Sequence, residues 1–258
     1  MTKSQLLTIT LAVIAFIGLY TFGSTKPKGQ ALIERTRSLS LVSTDATSLI
    51  IDAKKKLSAD KIAWLDVTDK ALTNAQQDST KATILQKLSA QWFEWGNAPI
   101  AGYYAQQVAE IRKTEEAWSI AGTTFTIALQ KTAEEKVRQY SSDNAIKSFE
   151  NAISLNPQNT NNRINLALCY AENPPKDNPM KGILMLIDLN KKYPDNVSVL
   201  VQLGKLGIKT GQYEKAIERL KKAVALDPKN TTAYCYLAEA YKGFGDTLQA
   251  DAAAKNCK

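Results

Sequence analysis

The chain has 258 residues, 44% of them hydrophobic and 22% charged, with a formal net charge of +8 and no histidine. That balance belongs to an ordered protein, long enough for one large domain or two small ones. The missing histidine excludes the commonest general base, every Ser-His-Asp or Cys-His catalytic arrangement, and His-containing zinc sites.

The sequence opens with an uncharged stretch, residues 4–25, between Lys3 and Lys26. Its apolar heart, Leu6 to Phe22, would make about 26 Å of helix, enough to cross a thin hydrocarbon core. Residues 1–28 therefore read as a single-pass membrane anchor. The alternative is a cleaved export signal, with Thr21 and Gly23 at cleavage-like spacing. Lys26, Lys28, Arg35 and Arg37 follow the apolar run, which leans towards a cytoplasmic body. The short basic start resembles an export signal, so the side of the membrane stays open. Residues 29–43 form a polar spacer.

Residues 44–80 carry two helical patterns, about 45–57 and 60–77, expected to form a helical pair with Trp64 packing in the hairpin. Beyond them the sequence repeats itself. NAIKSFENAISLNPQN (144–159), KGILMLIDLNKKYPDN (181–196) and KAIERLKKAVALDPKN (215–230) each end in Pro, any residue, Asn. Their starts lie 37 and then 34 residues apart. A period near 34 marks stacked supersecondary units.

These residues resemble the tetratricopeptide repeat (TPR) family, whose unit is two antiparallel helices. Residues 197–230 fit without a gap, with Leu200, Leu203, Gly204, Ala216, Leu220, Ala223 and Pro228 at the family's marked positions. Gly207 replaces an aromatic there, which should thin the packing. Residues 160–196 supply Leu166, Ala167, Tyr170, Gly182, Leu186 and Pro194, with extra residues in ENPPKDNPM. Residues 231–258 match through Tyr234, Leu237, Ala238, Tyr241 and Ala250. Residues 115–159 fit with about eleven extra residues within ALQKTAEEKVRQYSSDN. Residues 81–114 make a degenerate first unit around Leu85, Leu88, Trp92 and Ala101. The resemblance implies an all-α fold, an α-solenoid of antiparallel helix pairs over 81–258; the apolar run described above would precede it as an N-terminal transmembrane helix.

Asn159, Asn196 and Asn230 each stand just before a helix and should be N-caps. Asn196-Val-Ser and Asn230-Thr-Thr are also formal glycosylation sequons, but capping explains all three asparagines. Cys169 and Cys235 fall on apolar helical patterns and read as buried thiols. With Cys257 the count is odd and no pair stands at metal spacing, which argues against a closed disulfide framework. GFGDTL at 243–248 lacks the third glycine of a phosphate loop and sits in a repeat turn. The cluster Trp92, Phe93, Trp95, Tyr103 and Tyr104 has the helical spacing of core packing.

No catalytic, cofactor or metal site emerges, and the sequence reads as a non-enzyme. Its Lys and Arg residues are interleaved with acids and accompany no nucleic-acid motif, so a solvated repeat surface is expected rather than a nucleic-acid interface. The resemblance implies a concave face lined by the first helices, where a peptide or protein partner would lie. The candidate residues are Asn161, Asn165, Gln202, Lys205, Lys209, Tyr236, Glu239 and Lys242. Asn165 and Gln202 would bond a peptide backbone, and Lys205 and Lys209, one turn apart, would receive a carboxylate. The function expected is a membrane-tethered interaction scaffold or assembly factor. The alternatives are a self-associating structural protein or an accessory subunit of a larger complex.

Overall fold

The structure, a computed structural model, describes residues 45–257. The expected anchor and spacer lie outside these residues. Among the described residues no helix is long and apolar enough to cross a membrane.

Twelve α-helices occupy the described residues, and no strand occurs there. They are α1 (Ala46–Lys54), α2 (Ala59–Asn74), α3 (Asp78–Glu94), α4 (Ala98–Arg112), α5 (Glu115–Lys131) and α6 (Glu135–Leu155). There follow α7 (Thr160–Glu172), α8 (Lys181–Lys192), α9 (Val197–Lys209), α10 (Tyr213–Leu226), α11 (Thr231–Phe244) and α12 (Thr247–Ala254). From α3 onwards each helix packs on the next, and α7, α9 and α11 also lie side by side. One pair cannot bury its apolar face alone, so the stack is what makes each pair stable.

The helix starts follow from side-chain chemistry. Asn196 Oδ1 accepts from the Val199 amide at 3.1 Å, and Asn230 Oδ1 from the Ala233 amide at 2.9 Å. Asn159 Oδ1 accepts from the Asn161 amide at 3.0 Å. Each removes one orphan donor from a helix N-terminus. At the turn between α11 and α12, Gly245 takes φ +95°, a left-handed conformation that glycine adopts without a Cβ penalty.

Small residues set the spacing of the helices. A Cβ on Gly204 would lie 2.5 Å from Leu220 Cγ, and one on Gly122 would lie 2.8 Å from the Phe149 ring. Leu220 and Phe149 are fully buried in the space those glycines leave. Full burial of such side chains stabilises by about 1.5–3 kcal/mol each. Gly207 does not thin the packing as expected. It is buried, and a Cβ there would stand 3.1 Å from Ala216 Cβ, so α9 and α10 close up over the missing aromatic.

Three further expectations change. The segments α1 and α2 do not close into a hairpin: α1 packs on α4 and α2 on α3. Trp64 instead meets Trp95 edge-on at 5.8 Å, and Trp95 meets Trp92 at 5.2 Å. Leu49, Ile50 and Leu57 cover the same cluster, which supplies more apolar surface than two short helices offer each other. The extra residues around 128–144 form no loop. They lengthen α5 to 17 residues and α6 to 21, joined by residues 132–134. Arg138 braces this long hairpin by donating to the carbonyls of Leu129 at 3.0 Å and Glu172 at 3.1 Å. Finally, Cys235 is no buried thiol. It forms a disulfide with Cys257, with the Cα atoms 4.7 Å apart, within the normal span of such a bridge. The chain turn after α12 brings Cys257 back to α11. Cys169 is free and fully buried, and burial raises its thiol to about 11.

Within the aromatic cluster, Trp92 and Tyr104 are core residues, whereas Phe93 is exposed.

Candidate functional site

Three first helices bring their outward faces together in one cleft. Leu168 and Glu172 come from α7, Gln202, Lys205, Leu206, Ile208 and Lys209 from α9, and Tyr236 and Glu239 from α11. The cleft holds about 330 Å³. Residues three and four apart on α9 share a face, so Gln202, Lys205 and Lys209 form a continuous stripe. The opposite side of α9 carries Val199, Leu200, Leu203 and Gly204 into the core.

The electrostatics differ from a simple cationic patch. Lys209 Nζ lies 3.6 Å from Glu172 Oε2. Lys205 Nζ stands 5.9 Å from the centre of the Tyr236 ring, within cation–π range. Glu239 adds a second carboxylate. Two lysines and two glutamates balance, so Lys209 is engaged rather than waiting for an incoming acid. An exposed pair of this kind contributes only about 0–1 kcal/mol, and a ligand carboxylate could replace Glu172 at small cost.

Of the residues expected at a binding face, Gln202, Lys205, Lys209, Tyr236 and Glu239 line this cleft. Asn161, Asn165 and Lys242 do not line it. Asn161 and Lys242 are exposed and Asn165 is half-buried. Leu206 and Ile208 were missed. Their half-burial gives the cleft an apolar flank. The available signal was Leu168, an apolar residue on the stripe that otherwise reads as polar.

The neighbouring Asn162 was also missed, and it is a structural group. It is 2% exposed, and its Nδ2 donates to Glu115 Oε1. Asn159 Nδ2 donates to the same oxygen at 2.8 Å, and Ser119 Oγ lies 2.8 Å from Asn162 Oδ1. This knot ties the start of α7 to the start of α5.

A second depression of about 390 Å³ lies where the start of α1 meets α4 and α6, around Asp45, Tyr103, Gln106 and Tyr140. Burial, above all, raises the Tyr140 phenol far above its ordinary value. It stays neutral at physiological pH. Among the described residues no three His, Cys, Asp or Glu side chains converge as metal ligands would.

Residues 204–245 match the sequence profile of the TPR repeat. A 47-residue stretch is 47% identical to the protein CTR9 homolog of Arabidopsis thaliana. It spans 18% of this chain and only 4% of that protein's length. Among solved structures, a thermophilic TPR protein of Thermus thermophilus aligns with a TM-score of 0.50 at 17% identity, covering 68% of this chain and 89% of that one. MamA of Desulfovibrio magneticus gives 0.45 at 18% identity, over 68% of this chain and 92% of that one. A TPR repeat thus stands at 204–245, and the described body is an all-α, TPR-like helical solenoid.

Proposed function

We propose that the protein is a membrane-tethered docking module, a scaffold or assembly factor that holds an extended segment of a partner protein against α7, α9 and α11. The observation that carries this reading is the cleft itself. Three successive first helices contribute hydrogen-bonding, charged and apolar side chains to one continuous surface. Gln202 offers both a donor and an acceptor to a peptide backbone. Leu168, Leu206 and Ile208 suit an apolar side chain. Lys205, held near Tyr236, suits a carboxylate, and Lys209 becomes available when Glu172 is displaced. A segment that pairs an apolar residue with an acidic one meets all of these groups. Residues 4–25 provide the tether.

The test uses full-length protein in its own membranes. A photo-crosslinking residue is placed at Gln202 in the cleft or at the exposed Glu218 on α10. The Gln202 site should yield a discrete adduct that Lys205→Glu with Lys209→Glu weakens, most strongly at low salt, where screening is least. Equal adducts from both sites, or indifference to the charge reversal, would refute docking in the cleft. Retention of the full chain on membranes after carbonate washing, with 30–258 released, tests the tether separately.

A further inference from the structure

The disulfide joins Cys257 to Cys235, and Cys235 stands immediately before Tyr236 and one turn before Glu239. The bridge is therefore fixed to the helix that supplies one wall of the cleft. The helix it pins is weakly held otherwise. Helix α12 has eight residues and buries only Ala250 and Ala253, while Leu248 is 78% exposed. So short a helix does not hold itself in water. Ala253 shares a cluster with Ala233, Leu237 and Ala240 of α11, so when α12 leaves, that side of α11 is uncovered.

We propose that the Cys235–Cys257 bridge is a redox-sensitive clip that keeps α12 on α11 and thereby holds the cleft's α11 wall in register. It follows that the repeat body works in an oxidising compartment, since such bridges persist there and are rare in reducing cytosol. Joined to the tether reading, the clip places the repeat body on the side of the membrane away from the reducing cytosol, against the lean of the flanking charges. Closing the clip removes two protons and two electrons from the two thiols. The acceptor is the disulfide of a thiol–disulfide oxidoreductase, which leaves as a dithiol. Dithiothreitol reverses the exchange. One of its thiolates attacks a bridge sulfur to give a mixed disulfide, and its second displaces the protein thiol. The products are cyclic oxidised dithiothreitol and two protein thiols.

The significance of the wall rests on the cleft reading above. The clip is judged without any ligand, so its failure is distinct from failure of that reading. Full-length protein is acid-quenched directly from the cells that make it and alkylated in denaturant with N-ethylmaleimide. One adduct, at Cys169, is expected before reduction and three after, matching the three cysteines of the chain. Three adducts before reduction would overturn the compartment assignment. Hydrogen exchange of the purified full chain is then followed with and without dithiothreitol, and in Cys257→Ser. Reduction and substitution should both speed exchange in 247–254 and 234–242 by roughly ten-fold or more, while leaving α7 and α8 unchanged. Unchanged rates in 234–257 would overturn the clip.

Discussion

Replacing Gly182 with alanine adds a single carbon where α8 lies directly against the backbone of α7. The new Cβ would fall against the Ala167 carbonyl oxygen, 2.5 Å from the Ala171 amide nitrogen and 2.9 Å from Tyr170 C. These are backbone atoms of α7, so no rotamer change relieves the clash and α8 must move away. Overpacking of this kind costs about 1–3 kcal/mol. The helical preference of alanine over glycine returns at most about 0.5–1 kcal/mol, and less at the second residue of a helix. The net loss should be about 1–2 kcal/mol. For a body of this size that lowers Tm by roughly 2–8 °C. The comparison is Gly207→Ala, whose Cβ would come no nearer than 3.1 Å to Ala216 Cβ and 3.3 Å to the Gln212 carbonyl. It should be near neutral. Gly204→Leu should be destabilising, because its first carbon already lies 2.5 Å from the fully buried Leu220. Urea unfolding followed by circular dichroism at the helix band gives all three values. A Gly182→Ala protein as stable as the parent, or one no worse than Gly207→Ala, would refute the claim that backbone contact sets the α7–α8 distance.

Two other predictions concern buried groups. Asn162→Ala removes a side-chain donor and acceptor from the knot with Glu115 and Ser119, leaving partners unsatisfied at a cost of about 1–3 kcal/mol. Equilibrium unfolding should detect this loss, and an unchanged midpoint would mean that water replaces the amide. Cys169, with its thiol raised to about 11 by burial, is protonated at neutral pH and closed to solvent. It should resist alkylation in the native protein and react on unfolding, so rapid native labelling at pH 7 would contradict its placement.

The helical hairpins were legible because their physics is local and periodic. Pro-x-Asn marks the loop and the cap, and the asparagines of 159, 196 and 230 do cap. Glycines and alanines at fixed spacing announced close approach, and the contacts of Gly182 and Gly204 bear that out. What failed to show was set by distant partners. The stretch around 128–144 contains good helix formers and neither Gly nor Pro, so it extends helices where alignment to a fixed unit suggests an insertion. Cys235 sits on an apolar pattern, and only the return of the chain after α12 reveals its partner. In the cleft, the α9 stripe followed from helical spacing. The pairing of Lys209 with Glu172 did not, because it depends on how α7 and α9 are offset.

The long hairpin reaches as far as the cleft. Helix α6, at 21 residues, is about 31 Å long, whereas the 12 residues of α8 reach about 18 Å. One guanidinium, that of Arg138, couples this hairpin to the final carbonyl of α7. The residue bearing that carbonyl, Glu172, also holds Lys209 in the cleft. The hairpin therefore meets the cleft's ion pair at the end of α7, through Arg138 and through a second bond in which Asn173 Nδ2 donates to Gln139 Oε1 at 3.1 Å. One residue, Glu172, thus meets the hairpin through its carbonyl and Lys209 through its carboxylate, so the long hairpin and the cleft share a boundary.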